Sequence, residues 1–131
     1  MTERLETVML EVEMASILAY AELTDDFNPI HVDPEFAAAT PMGGVIAHGT
    51  MSLCLLWAAI FRSFPASALR APELDVRFVK PVRVGDMLRA GGEIDAEDPA
   101  LYKVWVRADD GSDRIVGTLR LAAAVAQEEA P

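Results

Sequence analysis

The segment between positions 24 and 31, TDDFNPIH, combines acidic residues, a turn and one of only two histidines in the chain. Proline fixes its own φ and disfavours the helical region for the residue before it, so Asn28-Pro29 predicts that any preceding helix ends before this dipeptide. Asp26 and His31 then lie on opposite limbs of one turn. Because both side chains can reach a single water molecule there, the spacing indicates general acid–base catalysis.

The same residue types also occur where no chemistry takes place. Asp, Asn and Pro are common in turns and helix caps, so a D-x-N-P sequence alone is equally well explained as the exit from a helix. His31 favours the catalytic interpretation over a simple helix exit, because imidazole is the side chain whose charge changes closest to neutral pH. Asn28 is a candidate for contact with substrate, although we expect it to fix the turn instead.

This segment resembles the signature of a known enzyme family, the (R)-specific enoyl-CoA hydratases or MaoC-like dehydratases. The resemblance rests on residues 26–31 and continues through Asp33-Pro34, Ala37-Ala38, residues 47–49 (AHG) and residues 80–86 (KPVRVGD). It implies an α+β hot-dog fold, in which a curved antiparallel sheet surrounds one long buried helix. It also implies that Asp26 and His31 are the catalytic pair. Many members have Gly where this chain has Asp25, which adds a second carboxylate that could alter how the pair titrates.

The resemblance further implies a reaction and an assembly. Family members add water reversibly to a trans-2-enoyl thioester by syn addition, which gives the (R)-3-hydroxyacyl product. The substrate is then an acyl-CoA or acyl-carrier-protein thioester, and no separate cofactor or metal is required. A homodimer, or a dimer of dimers, with each site at the subunit interface is implied as well.

Gly49 is a candidate catalytic residue because it lies where a loop meets the longest predicted helix. The first backbone N–H groups of a helix have no partners within it and carry a partial positive charge, so they can hold an anion. In the resembling family this glycine N–H stabilises the charge that grows on the thioester oxygen. The alternative is that Gly49 only eases the loop into the helix. His48 is a candidate substrate contact, but we expect it to cap or pack.

The net charge of −10 makes nucleic acid an improbable partner, because phosphate binding requires a basic face. The same charge opposes binding of coenzyme A phosphates, so local cations would have to hold them. Lys80 and Arg83 are the candidates for this contact. Their simpler role is solvated surface charge.

The composition predicts one soluble, cytoplasmic domain over residues 1–131. The longest apolar run has nine residues, from 53 to 61, far fewer than the roughly 20 that cross a bilayer.

Cys54 has no partner for an internal disulfide and is predicted to be a small buried residue. With two histidines and one cysteine, a structural zinc site is improbable. Lys-Ser/Thr is missing after Gly49, which excludes a P-loop.

The order of elements predicts an α+β protein. Periodicity and turn residues place strands at 7–13, 74–79, 87–94, 101–108 and 114 to about 125, helices at 14–23, 34–39 and 49–64, and a frayed tail at 127–131. The helix at 49–64 is apolar on nearly every side and is predicted to be buried rather than to lie on a surface. Periodicity alone leaves other α+β folds open, and the resemblance narrows them to the hot-dog fold.

Three functional alternatives stay open at this stage. A hot-dog thioesterase would use similar parts, but it normally lacks D-x-N-P-x-H. A non-catalytic acyl-CoA-binding subunit of a heteromeric hydratase would keep the fold, although the intact Asp26 and His31 argue against a passive role. The fold could also persist after activity is lost, and Asp25 is the one feature of the motif that favours this.

Overall fold

The structure is a computed structural model that describes residues 2–122; the tail predicted at 127–131 lies outside them. Its helices are α1 (Met14–Thr24), α2 (Pro29–Val32), α3 (Pro34–Ala38) and α4 (Gly49–Ser63), with a 3-10 turn at Ala66–Leu69. Its strands are β1 (Val8–Glu11), β2 (Glu73–Phe78), β3 (Met87–Ile94), β4 (Leu101–Ala108) and β5 (Asp113–Arg120).

The five strands form one antiparallel sheet in the order β1-β3-β4-β5-β2, which leaves β1 and β2 at its edges. Helix α4 packs against β1, β3 and β4. Alternate side chains of the strands point towards α4 and form the core with it. Its fully buried members include Leu56, Ile60, Leu88, Tyr102, Val106, Ile115 and Leu119. A curved sheet around one helix is the predicted hot-dog arrangement.

Helix α4 is buried against the sheet as predicted, but only on one side. The sheet covers the face that carries Leu56 and Ile60. On the opposite face Phe61 is 64% exposed, and Cys54 is exposed rather than buried as predicted. These positions lie seven residues apart and therefore share one side of the helix, which the strands cannot reach. No helix within residues 2–122 is long and apolar enough to cross a membrane.

The sequence predicted β3 and β4 with their observed bounds, whereas β5 is shorter than predicted. We expected β5 to continue to about Val125, but it ends at Arg120, and positions from 123 on lie outside the described residues. Arg120 pairs with Glu73, the first residue of β2, and with Leu101, the first residue of β4. Since neither neighbouring strand extends further, the ladder stops there.

Candidate functional site

The turn after α1 begins with an unusual backbone conformation at Asp25. Its φ of 53° and ψ of 39° lie in the left-handed region, and within residues 2–122 no other non-glycine residue has a positive φ. Its N–H bonds to the carbonyl of Ala21 and ends the helix. Glycine is the usual residue at such a helix end because it has no Cβ, and Asp tolerates the conformation better than most residues do.

The next residues fix the direction of the chain through local hydrogen bonds. A carboxylate oxygen of Asp26 accepts from the N–H of Asn28 at 3.2 Å. Asn28 in turn caps α2, where its side-chain oxygen accepts from the N–H of Ile30 at 3.2 Å, and Pro29 occupies the first helical position. These bonds hold Asp26 and His31 in one short segment. Asn28 is therefore a turn-fixing residue in this chain.

His31 is oriented by a backbone carbonyl from a distant part of the sequence. Its Nδ1 lies 2.7 Å from the carbonyl oxygen of Ile46. A carbonyl can only accept a hydrogen bond, so Nδ1 carries the hydrogen. In the neutral ring the lone pair is consequently on Nε2, which can bind a water molecule or take a proton.

The structure brings Asp26, His31 and His48 together. A carboxylate oxygen of Asp26 and one ring nitrogen of each histidine lie within 4.8 Å of one another. Two groups that bind the same water molecule are separated by at most about 5–6 Å, because each hydrogen bond is about 2.7–3.0 Å long. Asp26 and His31 are therefore close enough to share one water.

The same spacing would also allow a metal ion, so the orientation of the rings matters. The rings of His31 and His48 stack with their centres 4.0 Å apart and an angle of 28° between their planes. The lone pair of an imidazole lies in the plane of the ring, so two stacked rings do not direct their lone pairs to a common point. The arrangement suits acid–base chemistry better than coordination of a metal.

His48 lies behind this pair rather than in the open site. It is 2% exposed, and its Nε2 is 2.9 Å from the backbone carbonyl oxygen of Asp26. Although it is the N-cap residue of α4, its side chain makes no capping hydrogen bond. Of the two structural roles considered for His48, packing is therefore the one observed, and capping is wrong.

Tyr20 lies beside this histidine and was not singled out from the sequence. Its ring meets the His48 ring edge-on at 5.1 Å, and its hydroxyl donates to the Oγ1 of Thr50 at 2.8 Å. Burial raises the pKa of the Tyr20 hydroxyl above its usual value of 10. The hydroxyl therefore stays protonated at neutral pH and remains a donor.

Gly49 begins α4 with a backbone N–H that has no hydrogen-bond acceptor within residues 2–122. The first bond of the helix runs instead from the N–H of Met51 to the carbonyl of His48 at 3.1 Å. Beside the Gly49 α-carbon lies the ring of Phe78, whose nearest carbon would be 3.1 Å from a Cβ at this position. The free N–H can therefore serve a ligand, whereas there is no spare room for a side chain.

A cavity of about 270 Å³ adjoins the start of α4. It is lined by Met42, Ile46, Ala47, Gly49, Phe78, Val79, Lys80 and Pro81. Lys80 is the positively charged residue among those that line this cavity. Arg83 is not part of this lining, but its backbone pairs with that of Ile46, which is. Larger cavities of about 360 and 370 Å³ lie near Trp105 and Thr118 and contain none of the candidate residues, so we connect the smaller cavity with the site.

A family model described as "MaoC like domain" matches residues 2–107 of the chain. The chain belongs to the MaoC-like dehydratase family. This confirms the resemblance inferred from the D-x-N-P-x-H motif. A relative named (R)-specific enoyl-CoA hydratase, from Aeromonas caviae, is 35% identical over 95 residues, 71% of this chain and 71% of that protein. A 3-hydroxybutyryl-CoA dehydratase from Methylorubrum extorquens is 34% identical over 89 residues, 68% of this chain but 57% of that protein.

Solved structures of this MaoC-like family agree with the fold. The unliganded (R)-hydratase of Pseudomonas aeruginosa superimposes with a TM-score of 0.77 and 24% identity, over 92% of this chain and 80% of that chain. The (R)-hydratase of Aeromonas caviae gives a TM-score of 0.71 and 26% identity, over 92% of this chain and 98% of that chain. These similarities confirm the predicted hot-dog fold.

Proposed function

We propose that this MaoC-like protein is an (R)-specific enoyl-CoA hydratase, a hydro-lyase that adds water reversibly to a trans-2-enoyl thioester. The observation that carries the proposal is that a carboxylate oxygen of Asp26 and a ring nitrogen of His31 lie within 4.8 Å of each other, in one cluster with His48, the residue before Gly49. The names of the relatives, hydratase and dehydratase, support the same class of reaction. The thioesterase alternative finds no such support.

In the proposed reaction Asp26 and His31 transfer the protons, and the Gly49 N–H stabilises negative charge. Asp26 and His31 hold one water molecule and take one of its protons while its oxygen bonds to C3 of the substrate. The electron pair of the C2–C3 double bond moves onto the thioester oxygen, where the Gly49 N–H stabilises the negative charge. The pair then delivers the proton to C2 from the same side. All atoms of the water end in the (R)-3-hydroxyacyl product, and the pair is regenerated.

Binding of the thioester is assigned to the cavity beside Gly49. Its lining is mainly apolar, which suits the pantetheine arm, and Lys80 supplies positive charge for a phosphate. Arg83 adds a second cation close to Gly44. A Cβ at position 44 would stand 3.8 Å from the Arg83 Nη1. These two side chains offset the net charge of −10 at the place where an anionic substrate enters.

The direct test is a hydration assay with crotonyl-CoA and longer trans-2-enoyl-CoAs, with chiral analysis of the product. We expect hydration to the (R)-3-hydroxyacyl-CoA without release of free thiol. Thiol release without hydration would identify a thioesterase instead. Binding of acyl-CoA with neither reaction would identify a non-catalytic binding subunit.

We also propose that the working form is a homodimer, because residues 2–122 of a single chain leave the catalytic turn uncovered. Asp26 is exposed, and the nearby apolar side chains of Leu23 and Phe27 are 81% and 51% exposed. Strand β2 is an edge of the sheet, and long unpaired edges are seldom left open in natural proteins. Pairing of β2 with β2 of a second copy would close this edge.

Charge favours one register for this pairing. The N–H of Val79 donates to Arg114 of β5, so by alternation the backbone groups of Leu74, Val76 and Phe78 point away from the sheet. A two-fold axis at Val76 pairs these groups and places Asp75 opposite Arg77 of the second copy. An axis one residue away would instead oppose two aspartates or two arginines, which is unfavourable.

Charge reversal at Asp75 and Arg77 tests this register. Asp75→Arg and Arg77→Asp each place like charges opposite one another twice per dimer, so each should raise the dissociation constant roughly tenfold or more. The double variant Asp75→Arg/Arg77→Asp restores opposite charges and should dimerise like the wild type. Light scattering measures the mass against 14.2 kDa for one chain. A wild-type monomer at micromolar concentration would contradict the dimer, and dimers in both single variants would contradict the register.

A further inference from the structure

Two buried polar atoms near the catalytic pair have no hydrogen-bond partner within the described part of the chain. They are Nδ1 of His48 and Oγ of Ser52, and the two residues are 2% and 1% exposed. Ser52 follows His48, the N-cap residue of α4, by four residues, which is about one helical turn. Buried polar groups are rarely left unsatisfied, because removing them from water is unfavourable unless a hydrogen bond replaces it.

The chemistry of the two atoms is complementary. The Nε2 of His48 lies 2.9 Å from the carbonyl of Asp26, which can only accept, so Nε2 carries the hydrogen. In the neutral ring Nδ1 is then an acceptor that lacks a donor. Ser52 carries a hydroxyl donor one helical turn away that lacks an acceptor. Buried water molecules commonly connect such groups.

We propose that Ser52 and His48, bridged by one internal water molecule, hold the catalytic pair in position. The inference rests on the proposed hydratase function. Ser52 donates to the water, the water donates to Nδ1, and the N–H of His48 donates to the backbone carbonyl of Asp26. The ring of His48 meanwhile supports the ring of His31 at 4.0 Å. One side chain therefore supports both the backbone of Asp26 and the imidazole of His31.

His48 acts through these neighbours and not on the substrate, because it is almost completely buried. It is consequently a positioning residue. Its loss should affect the alignment of the reacting groups, which appears in kcat, and should leave KM nearly unchanged. A displacement of about 1 Å in an active site can lower the rate about 10²-fold.

Three variants test this role. His48→Leu keeps much of the volume but has no polar atom, and it should lower kcat about 10–100-fold with KM changed less than about threefold. His48→Gln offers an amide N–H to Asp26 and an oxygen to the water, so it should regain a substantial part of the lost kcat. Ser52→Ala should lower kcat several-fold because the orientation of His48 is no longer fixed.

Ser63→Ala is the matched control, because it makes the same substitution at the other end of α4. The Oγ of Ser63 bonds to the carbonyl of Ala59 at 2.6 Å and accepts from the N–H of Glu6 at 2.8 Å. Its removal should lower the melting temperature while kcat stays at the wild-type value. Equal losses of kcat in His48→Leu and His48→Gln would overturn the proposal. So would a change confined to KM, or a kcat in Ser52→Ala as high as in Ser63→Ala.

Side-chain ¹⁵N NMR adds a readout that does not depend on turnover. The wild type should show His48 with its proton on Nε2 and a hydrogen-bonded Nδ1, and Ser52→Ala should shift the Nδ1 resonance. An Nδ1 resonance that is unchanged in Ser52→Ala would overturn the link to Ser52, even in a protein that hydrates no substrate. A wild type with the expected resonances but without hydratase activity would overturn the proposed function and leave the hydrogen-bond network standing.

Discussion

Asp26→Asn and His31→Ala are each expected to lower the kcat for hydration of a trans-2-enoyl-CoA by about 10²–10⁴-fold. Asn keeps the shape of Asp26 but cannot take a proton from water. Ala removes the Nε2 lone pair that the hydrogen bond from Nδ1 to Ile46 leaves free. Because the two groups share one water, the double variant should lose little more than either single variant does. Steady-state kinetics with crotonyl-CoA measures all three.

Both substitutions should leave the fold intact, so lost activity can be assigned to chemistry. Asp26 is exposed, and an Asn oxygen can still accept from the N–H of Asn28. His31→Ala removes one hydrogen bond to Ile46, a net loss of about 0.5–1.5 kcal/mol in the free energy of unfolding. The melting temperature should fall by a few degrees at most in either variant.

Asp25→Asn is the matched control for Asp26→Asn. It removes the neighbouring carboxylate by the same change, and Asn accepts the left-handed conformation as readily as Asp does. Its kcat should stay near the wild-type value. If Asp26→Asn and His31→Ala both keep near-normal rates, the assignment of the catalytic pair is wrong whatever the fold. If Asp25→Asn is as damaging as Asp26→Asn, the wrong carboxylate has been chosen.

The sequence was sufficient to predict those features of the structure that depend on residues close together in the chain. Asn28 and Pro29 determine the turn by themselves, through one side-chain cap and one fixed φ. Asp33 begins α3 in the same way, with its carboxylate accepting from two backbone N–H groups. The alternating strands β3 and β4 could be placed because their pattern has a period of two and clear turns at their ends. In each case the information lies within a few residues of the feature.

The sequence was insufficient where one element covers another. The apolar side chains of α4 look equally suited to burial, and only the position of the sheet decides that Cys54 and Phe61 remain outside. The end of β5 likewise depends on where β2 begins at Glu73, 47 positions earlier than Arg120. Neither dependence can be read from local periodicity.

The candidate site likewise has a part that the sequence predicted and a part that it did not. The spacing of Asp26 and His31 was visible because both lie in one turn. The hydrogen bond from His48 to the carbonyl of Asp26 spans 22 residues, and the bond from Tyr20 to Thr50 spans 30. No spacing in the sequence encodes these contacts, since they exist only once α1 and α4 have packed. Tyr20 was therefore missed, and His48 was expected to pack or cap without any indication of its partner.

Gly49→Ala is expected to lower kcat by about 10²–10³-fold, the usual effect of losing one donor to a developing oxyanion. The substitution keeps the backbone N–H, but the new methyl group would stand 3.1 Å from the ring of Phe78. Phe78 is 55% exposed, so its ring can move and the melting temperature should change little. The methyl group or the displaced ring then occupies the space through which the thioester oxygen approaches the N–H.

Two comparisons make this prediction specific. Gly44→Ala is the matched control, because its Cβ would meet nothing closer than an Arg83 nitrogen at 3.8 Å and its φ is not positive, so kcat should stay near the wild-type value. Gly49→Ala/Phe78→Leu relieves the contact with the ring but keeps the methyl group. Activity that returns in this double variant would mean that the displaced ring blocks the substrate. Near-normal activity in Gly49→Ala would mean that the oxyanion site has been assigned to the wrong residue.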